Sequence, residues 1–160
     1  MAGKDKFTYE AVSTLIGAFC VHLVVGSQYA WGAMAIYIVG YFRLVGNTEA
    51  NMSQFYLVLP LIVIVSTIVF PIGMEMAQKV GVRATVALGG TITILTTLLS
   101  SFTQTPTAFF ALYAVGFGIG KGFLYPAPLE AGWSHLEDRK GFVSGIIVSG
   151  LGIGSLTFGM

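Results

Sequence analysis

Five stretches of this chain are each long and apolar enough to cross a membrane, and the segments between them are too short to be soluble domains. A spanning helix needs about 20 mainly apolar residues to cross a hydrocarbon core of about 30 Å. The stretches cover about residues 12–41, 55–76, 84–102, 107–131 and 142–160. Inside lipid the backbone has no water to bond, so a continuous apolar run satisfies its own N–H and C=O groups as a helix. The expected fold is therefore an all-α membrane protein, with residues 1–160 forming a single transmembrane bundle. Charge agrees, since only 9% of residues are charged, against about 25% in soluble domains. The first stretch exceeds what a span requires, so it is expected to tilt, bend or project. The second contains Pro60 and Pro71.

The connections carry turn chemistry. Residues 46–51 join stretches one and two, with Ser53 as the expected N-cap of the second helix. Residues 78–83 join two and three. Thr105 before Pro106 reads as a cap followed by proline at the first helical position. Five spans place the N-terminus, the second connection and the fourth on one side. That side holds Lys4, Lys6, Lys79, Arg83, Arg139 and Lys140, whereas the other holds Arg43. The excess of Lys and Arg puts the N-terminus in the cytoplasm or its organellar equivalent. This rule serves a plasma membrane and a mitochondrial inner membrane equally.

Several function classes fall away. There is no block of like charge, so nucleic acid is not an expected partner; the lipid bilayer is. His22 and His135 are far apart in sequence and Cys20 is the only cysteine, so neither a metal site nor an intrachain disulfide is expected. Residues 116–120 alternate glycine with apolar residues, but in mid-span rather than between a strand and a helix, which fails the context of a nucleotide-binding loop. His135 and Asp138 share a turn with no nucleophile elbow nearby. No enzyme activity and no cofactor are expected.

Glycines four residues apart recur at Gly116 with Gly120, Gly118 with Gly122, Gly141 with Gly145, and Gly150 with Gly154. Small residues at that spacing let helix backbones approach closely in lipid. The functional signal lies in intramembrane polar groups, because a charge there is costly and faces a cavity or a partner. Lys121 stands about 15 residues into the fourth stretch, roughly 22 Å along a helix. It either attracts an anion, snorkels to the interface, or pairs with Glu130. His22 either faces a pathway or bonds to a neighbouring helix. Gln28 and Tyr29 lie near the same helix face. Charged groups cluster at helix ends, Glu75, Lys79 and Arg83 in one set and Glu137, Asp138 and Arg139 in another. They serve either as ion pairs that hold one state shut or as solvated caps.

The motifs resemble a known family. Residues 116–133, from Gly116 through Lys121, Tyr125, Pro126, Pro128 and Glu130 to Trp133, precede an acidic-basic turn and a glycine-rich helix. This hairpin resembles the oxalate/formate antiporters and the monocarboxylate transporters of the major facilitator superfamily. Residues 26–32 look like that family's Gly-x-x-Tyr-x-Trp signature, through Gly26, Tyr29 and Trp31. The connection at 74–83 keeps Lys79, Gly81 and Arg83 of the superfamily's loop pattern, with Gln78 in place of an acidic residue.

The resemblance implies an N-terminal six-helix half of which five helices are present, with the sixth helix and a C-terminal half absent. It implies transport of a small carboxylate anion by alternating access, as antiport or proton-coupled symport. His22, Gln28, Tyr29, Trp31, Lys121 and Tyr125 are the substrate-path candidates. Since a closed path needs two halves, the chain is expected to be a piece of a longer transporter, a half-transporter working with a second chain, or a transporter-like structural subunit of a large membrane complex. The chain by itself is expected to carry nothing.

Overall fold

The computed structural model describes residues 8–160. Lys4 and Lys6, which entered the charge count, lie outside the described residues. Among those residues the chain is helical without a strand, and five helices are long and apolar enough to span a membrane. We label them α1 (Tyr9–Leu44), α2 (Met52–Lys79), α3 (Val82–Ser100), α4 (Pro106–His135) and α5 (Glu137–Gly159).

α1 is interrupted midway. A 3-10 turn at Ser27–Ala30 separates Tyr9–Gly26 from Trp31–Leu44. The excess length expected for the first stretch is thus used by an interruption and by extension at both ends. α2 opens with one short turn, Met52–Phe55, and becomes continuous from Val58. Its cap is Asn51, whose side chain accepts from Gln54 N at 3.2 Å. Ser53, expected as the cap, instead sits in the first turn and donates its hydroxyl to Asn51 Oδ1. The asparagine's extended backbone lets its carbonyl reach forward, a geometry a residue already inside the helix lacks. Thr105 caps α4 as expected, accepting from Ala108 N at 3.4 Å. α4 also carries a π-helical turn at Phe110–Val115, which the apolar pattern did not announce. Pro126 does not end α4: proline takes the first position of a new helical segment after Tyr125, and the helix runs on to His135.

α4 is the inner helix. Its Gly116 and Gly120 lie against Thr96 and Thr93 of α3, while Gly118 and Gly122 lie against Val65 and Val69 of α2. Two staggered glycine rows thus receive a helix on each side. α1 and α5 form the other close pair: Gly150 and Gly154 meet the backbone at Phe19 and Leu23, and Gly26 meets Leu151. Gly141 and Gly145, expected to act as a fourth pair, have open space around them. Spacing makes a surface smooth but does not supply the neighbour.

Two packed regions hold the ends. At one, Trp31, Phe42, Phe55, Phe109 and Tyr113 form an aromatic cluster, and Trp31 Nε1 donates to Phe55 O at 2.9 Å. Tyr41 Oη donates to Thr103 O at 3.3 Å and Asn47 Nδ2 to Gln104 O at 2.7 Å, tying the end of α1 and the first connection to the third. At the other end, Leu15, Leu129, Leu136, Val143 and Ile147 close the α4–α5 hairpin. Trp133 Nε1 donates there to Ser144 Oγ at 2.9 Å.

Candidate substrate site between α1 and α4

The middle of the bundle, between these two ends, holds the polar groups. The tight turn at Ser27–Ala30 sets successive side chains about 120° apart rather than 100°. Gln28 is accordingly buried at 1% exposure, while the next residue, Tyr29, is 45% exposed. Across from it, Lys121 on α4 is 4% exposed and holds its Nζ 5.5 Å from the centre of the Tyr29 ring. That is a cation–π geometry. The glycines on either side of Lys121 explain why it fits: Gly120 and Gly122 give their space to α3 and α2, which keeps the lysine among packed backbones.

His22 lies one to two turns along α1, fully buried, with Nδ1 3.1 Å from Ala18 O. A carbonyl only accepts, so the Nδ1 proton occupies that bond and Nε2 is left without a partner among the described residues. The imidazole packs on Tyr125 at 5.0 Å between ring centres, and Tyr125 stacks on Phe70 of α2 at 5.0 Å. His22, Tyr29, Lys121 and Tyr125 therefore form one patch shared by α1, α2 and α4. Phe70 is a member that sequence reasoning did not single out. Ser66 is another polar residue it passed over: a lone serine within an apolar stretch, buried, with its hydroxyl on Val63 O.

The three alternatives for Lys121 now separate. It makes no ion pair with Glu130 among the described residues; Glu130 accepts instead from Gln78 Nε2 at 3.5 Å, which ties the end of α2 to α4. Nor does it snorkel outward, since its ammonium turns inward onto α1. What is left is a buried cation over the ring of Tyr29, with no described carboxylate within ion-pair distance. Trp31 stands apart from this patch. It stacks on Tyr113 at 5.3 Å within the aromatic cluster, so its placement is that of a packing residue.

The helix-end charges are less organised. Glu75 and Lys79 pair at 2.6 Å, but both are well exposed and belong to the same helix, so the pair cannot latch one helix to another. Arg83 lines an open groove of about 710 Å³ between α1, α3 and α4, with His135 at the same mouth. Glu137, Asp138 and Arg139 form an exposed 3-10 turn that begins α5.

An all-helical, membrane-spanning bundle with a buried cation at its centre is the architecture of an integral membrane protein built around a polar interior. In sequence the chain is similar to carboxylate carriers. It is 28% identical, over 98% of its length, to apicoplast pyruvate carrier 1 of Toxoplasma gondii, of which it covers 35%. It is 27% identical to monocarboxylate transporter 14 of Mus musculus over 88% of its length, covering 27% of that protein. Apicoplast pyruvate carrier 2 of Toxoplasma gondii is 27% identical over 87% of this chain, with 22% of the relative covered. No family model matches the chain, and no solved structure does. The chain thus spans about a third or less of the curated relatives it matches. These relatives are carriers and a transporter by name, not enzymes.

Proposed function

We propose that this chain forms part of a membrane carrier for small monocarboxylates, and that Lys121 holds the substrate's carboxylate. The observation that carries the reading is the placement of Lys121: nearly buried, in mid-bundle, over the Tyr29 ring, with no described carboxylate partner. An unpaired buried cation is costly, and it persists where its charge is used. The names of the relatives, two pyruvate carriers and a monocarboxylate transporter, support the same substrate class.

The mechanism follows from the surroundings. An incoming carboxylate meets the ammonium at the edge of exposed Tyr29, trading the cation–π contact for a charge-assisted hydrogen bond, which is about twice as strong as a neutral one. The low-dielectric walls of α2, α4 and α5 strengthen that attraction. Sliding at the glycine-lined α4–α2, α4–α3 and α1–α5 contacts lets the bundle rock without opening voids. Access alternates when a second bundle closes over the patch, as in a two-half facilitator carrier, which accounts for the longer chains of the relatives. Residues 1–160 then act as five helices of one half, with the N-terminus on the cytoplasmic or organellar-matrix side.

The test is uptake of labelled pyruvate into liposomes holding the assembly purified from native membranes through a tag on this chain. Lys121→Met is expected to lower uptake about a hundred-fold, as loss of a buried charge partner does, while raising the melting temperature, because a desolvated cation is removed. Loss of uptake together with a lowered melting temperature assigns Lys121 a structural role. A large stable assembly that takes up no carboxylate points instead to a transporter-like scaffold subunit.

A further inference from the structure

Three of the helices are irregular where they meet. α1 has its 3-10 turn at Ser27–Ala30, α2 is not continuous until Val58, and α4 carries its π-helical turn at Phe110–Val115. The residues at these interruptions hold one another. Trp31, the first residue past the turn of α1, donates to Phe55 O just before the interruption of α2, and it stacks on Tyr113 within the π-helical turn. Phe55 packs on Phe110, where that turn begins, at 5.2 Å between ring centres. Packing changes character across this level. On the side of the second and fourth connections, helices meet through backbone: Gly26 against Leu151, Gly150 and Gly154 against Phe19 and Leu23, and the Gly116 to Gly122 rows against α2 and α3. On the other side, Gly32 and Gly40 of α1 meet nothing within 4 Å among the described residues. There the chain is held by the aromatic cluster and by the two bonds to the third connection. An open groove of about 350 Å³ separates Tyr37 and Tyr41 of α1 from Thr97 and Ser101 of α3.

We infer that the three interruptions form one hinge, and that the parts beyond them swing together as a cap on the end of the bundle that carries the first and third connections. The cap consists of Trp31–Leu44, these two connections, Met52–Phe55 and Pro106–Phe109. Turns of the 3-10 and π kinds have poorer hydrogen-bond geometry than the α-helix, so bending there disrupts less than bending a regular ladder, and both kinds mark functional positions within helices. α3 needs no interruption, since it ends at Ser100 where the third connection begins. Phe42, Phe55 and Phe109, one from each helical segment of the cap, touch pairwise at 5.6 to 6.0 Å between ring centres, so the segments move as a unit. The groove beside Tyr37 gives them room. Tyr29 belongs to the turn of α1, whereas Lys121 belongs to the glycine-packed body, so their contact at 5.5 Å ties the hinge to that body. A carboxylate that draws the ammonium away from the ring releases the tie. It then binds the swung state better than the state seen here, the differential affinity a ligand needs to move an equilibrium. The hinge stands on packing alone; its trigger rests on the carrier reading above.

The experiment measures distances between spin labels in the assembly purified from native membranes, each label attached through p-acetylphenylalanine so that no cysteine need be removed. One pair replaces Tyr37 and Leu95, cap against α3, and a reference pair replaces Ile68 and Leu95, α2 against α3; all three side chains are exposed. The first pair is expected to show two distances and the second a single one. Trp31→Phe keeps an aromatic ring and removes the bond to Phe55 O, so the ratio of the two distances is expected to shift about two- to ten-fold, the worth of one neutral hydrogen bond. Pyruvate is expected to shift it toward the swung state. A single distance for the first pair, with and without pyruvate, overturns the hinge even where Trp31→Phe fails to fold. So does an unshifted ratio in folded Trp31→Phe. A reference distance that splits in step with the first also overturns it, because the whole bundle then deforms. Two populations that ignore pyruvate, in an assembly that takes none up, support the hinge and overturn the carrier reading alone.

Discussion

α3 and α4 cross the bundle side by side with nearly the same mean hydropathy, yet one is a surface helix and the other is the core. About 56% of α4's most apolar window is buried inside the protein, against 11% for α3. Ile94, Leu95, Leu98 and Leu99 of α3 point outward. In water such a contrast would follow from greasiness, because burial is driven by removing apolar area from solvent. In lipid a leucine gains little by facing protein, and the difference is made by small residues that let backbones touch. α4 has glycines on two faces, at 116/120 and 118/122, and therefore takes a neighbour on each. α3 presents one such face, with Gly89, Thr93 and Thr96 turned to α4. The threonines stay compact because their hydroxyls bond their own helix, Thr93 Oγ1 to Gly89 O at 2.9 Å and Thr96 Oγ1 to Ile92 O at 2.8 Å.

The contrast breaks most sharply at single glycines. A Cβ at Gly118 would stand 2.8 Å from Val65 Cβ and 3.1 Å from Ile62 O, whereas one at Gly90 of α3 meets nothing within 4 Å. Gly118→Ala is therefore expected to destabilise the bundle by about 1–3 kcal/mol, the range for overpacking. Gly90→Ala is expected to be neutral or stabilising by up to about 1 kcal/mol, through helix propensity. Thermal unfolding of both variants in one detergent reads the difference. Equal shifts would mean that α4 is not the packed member of the pair.

Where α3 is exacting is at its start. Gly81 ends α2 and opens α3 with φ +107°, a conformation that side chains with a Cβ reach only at a cost. Nothing crowds the position, so the penalty is purely conformational. Gly81→Ala is expected to cost about 1–3 kcal/mol in the same unfolding assay. An effect below that of Gly90→Ala would show that the α2–α3 turn relaxes freely, and α3 would then be anchored by its α4 face alone.

How much of this was legible from the residues follows a physical line. The five spans were, because lipid thickness sets the least length of apolar helix that can cross, although most of the helices run on past the stretches read from the sequence. Thr105 was, because its cap geometry is local. The Gly116 and Gly118 rows were readable as smooth faces, but Gly141 and Gly145 show that a smooth face needs a partner which only the tertiary fold supplies. Asn51 was missed in favour of Ser53, since both are good caps and the helix start is decided by where Phe55 packs. The break at Ser27–Ala30 carries no proline and showed only as excess length of the first stretch, and the π-helical turn at Phe110–Val115 left no mark. In the site, Lys121 and His22 stood out as polar groups in apolar stretches, and so did Gln28. Trp31 followed from the family-like motif yet lies in packing, and Phe70 carries no signal that separates it from any other apolar residue of α2.

The weakest expected effect concerns the charges at the end of α2, and it tests whether packed faces rather than ion pairs hold these helices. Glu75 and Lys79 pair at 2.6 Å but are 63% and 72% exposed. Both lie on one helix, four residues apart, a spacing worth about 0.3–0.5 kcal/mol at best in water and less in salt. The contact that does cross between helices there is the long one from Gln78 to Glu130. Glu75→Gln is therefore expected to shift stability by less than about 0.5 kcal/mol, and raising salt should erase even that difference. A shift comparable to that of Gly118→Ala would mean that the pair serves as a latch in another arrangement of the bundle, with Lys79 exchanging Glu75 for a partner on a different helix.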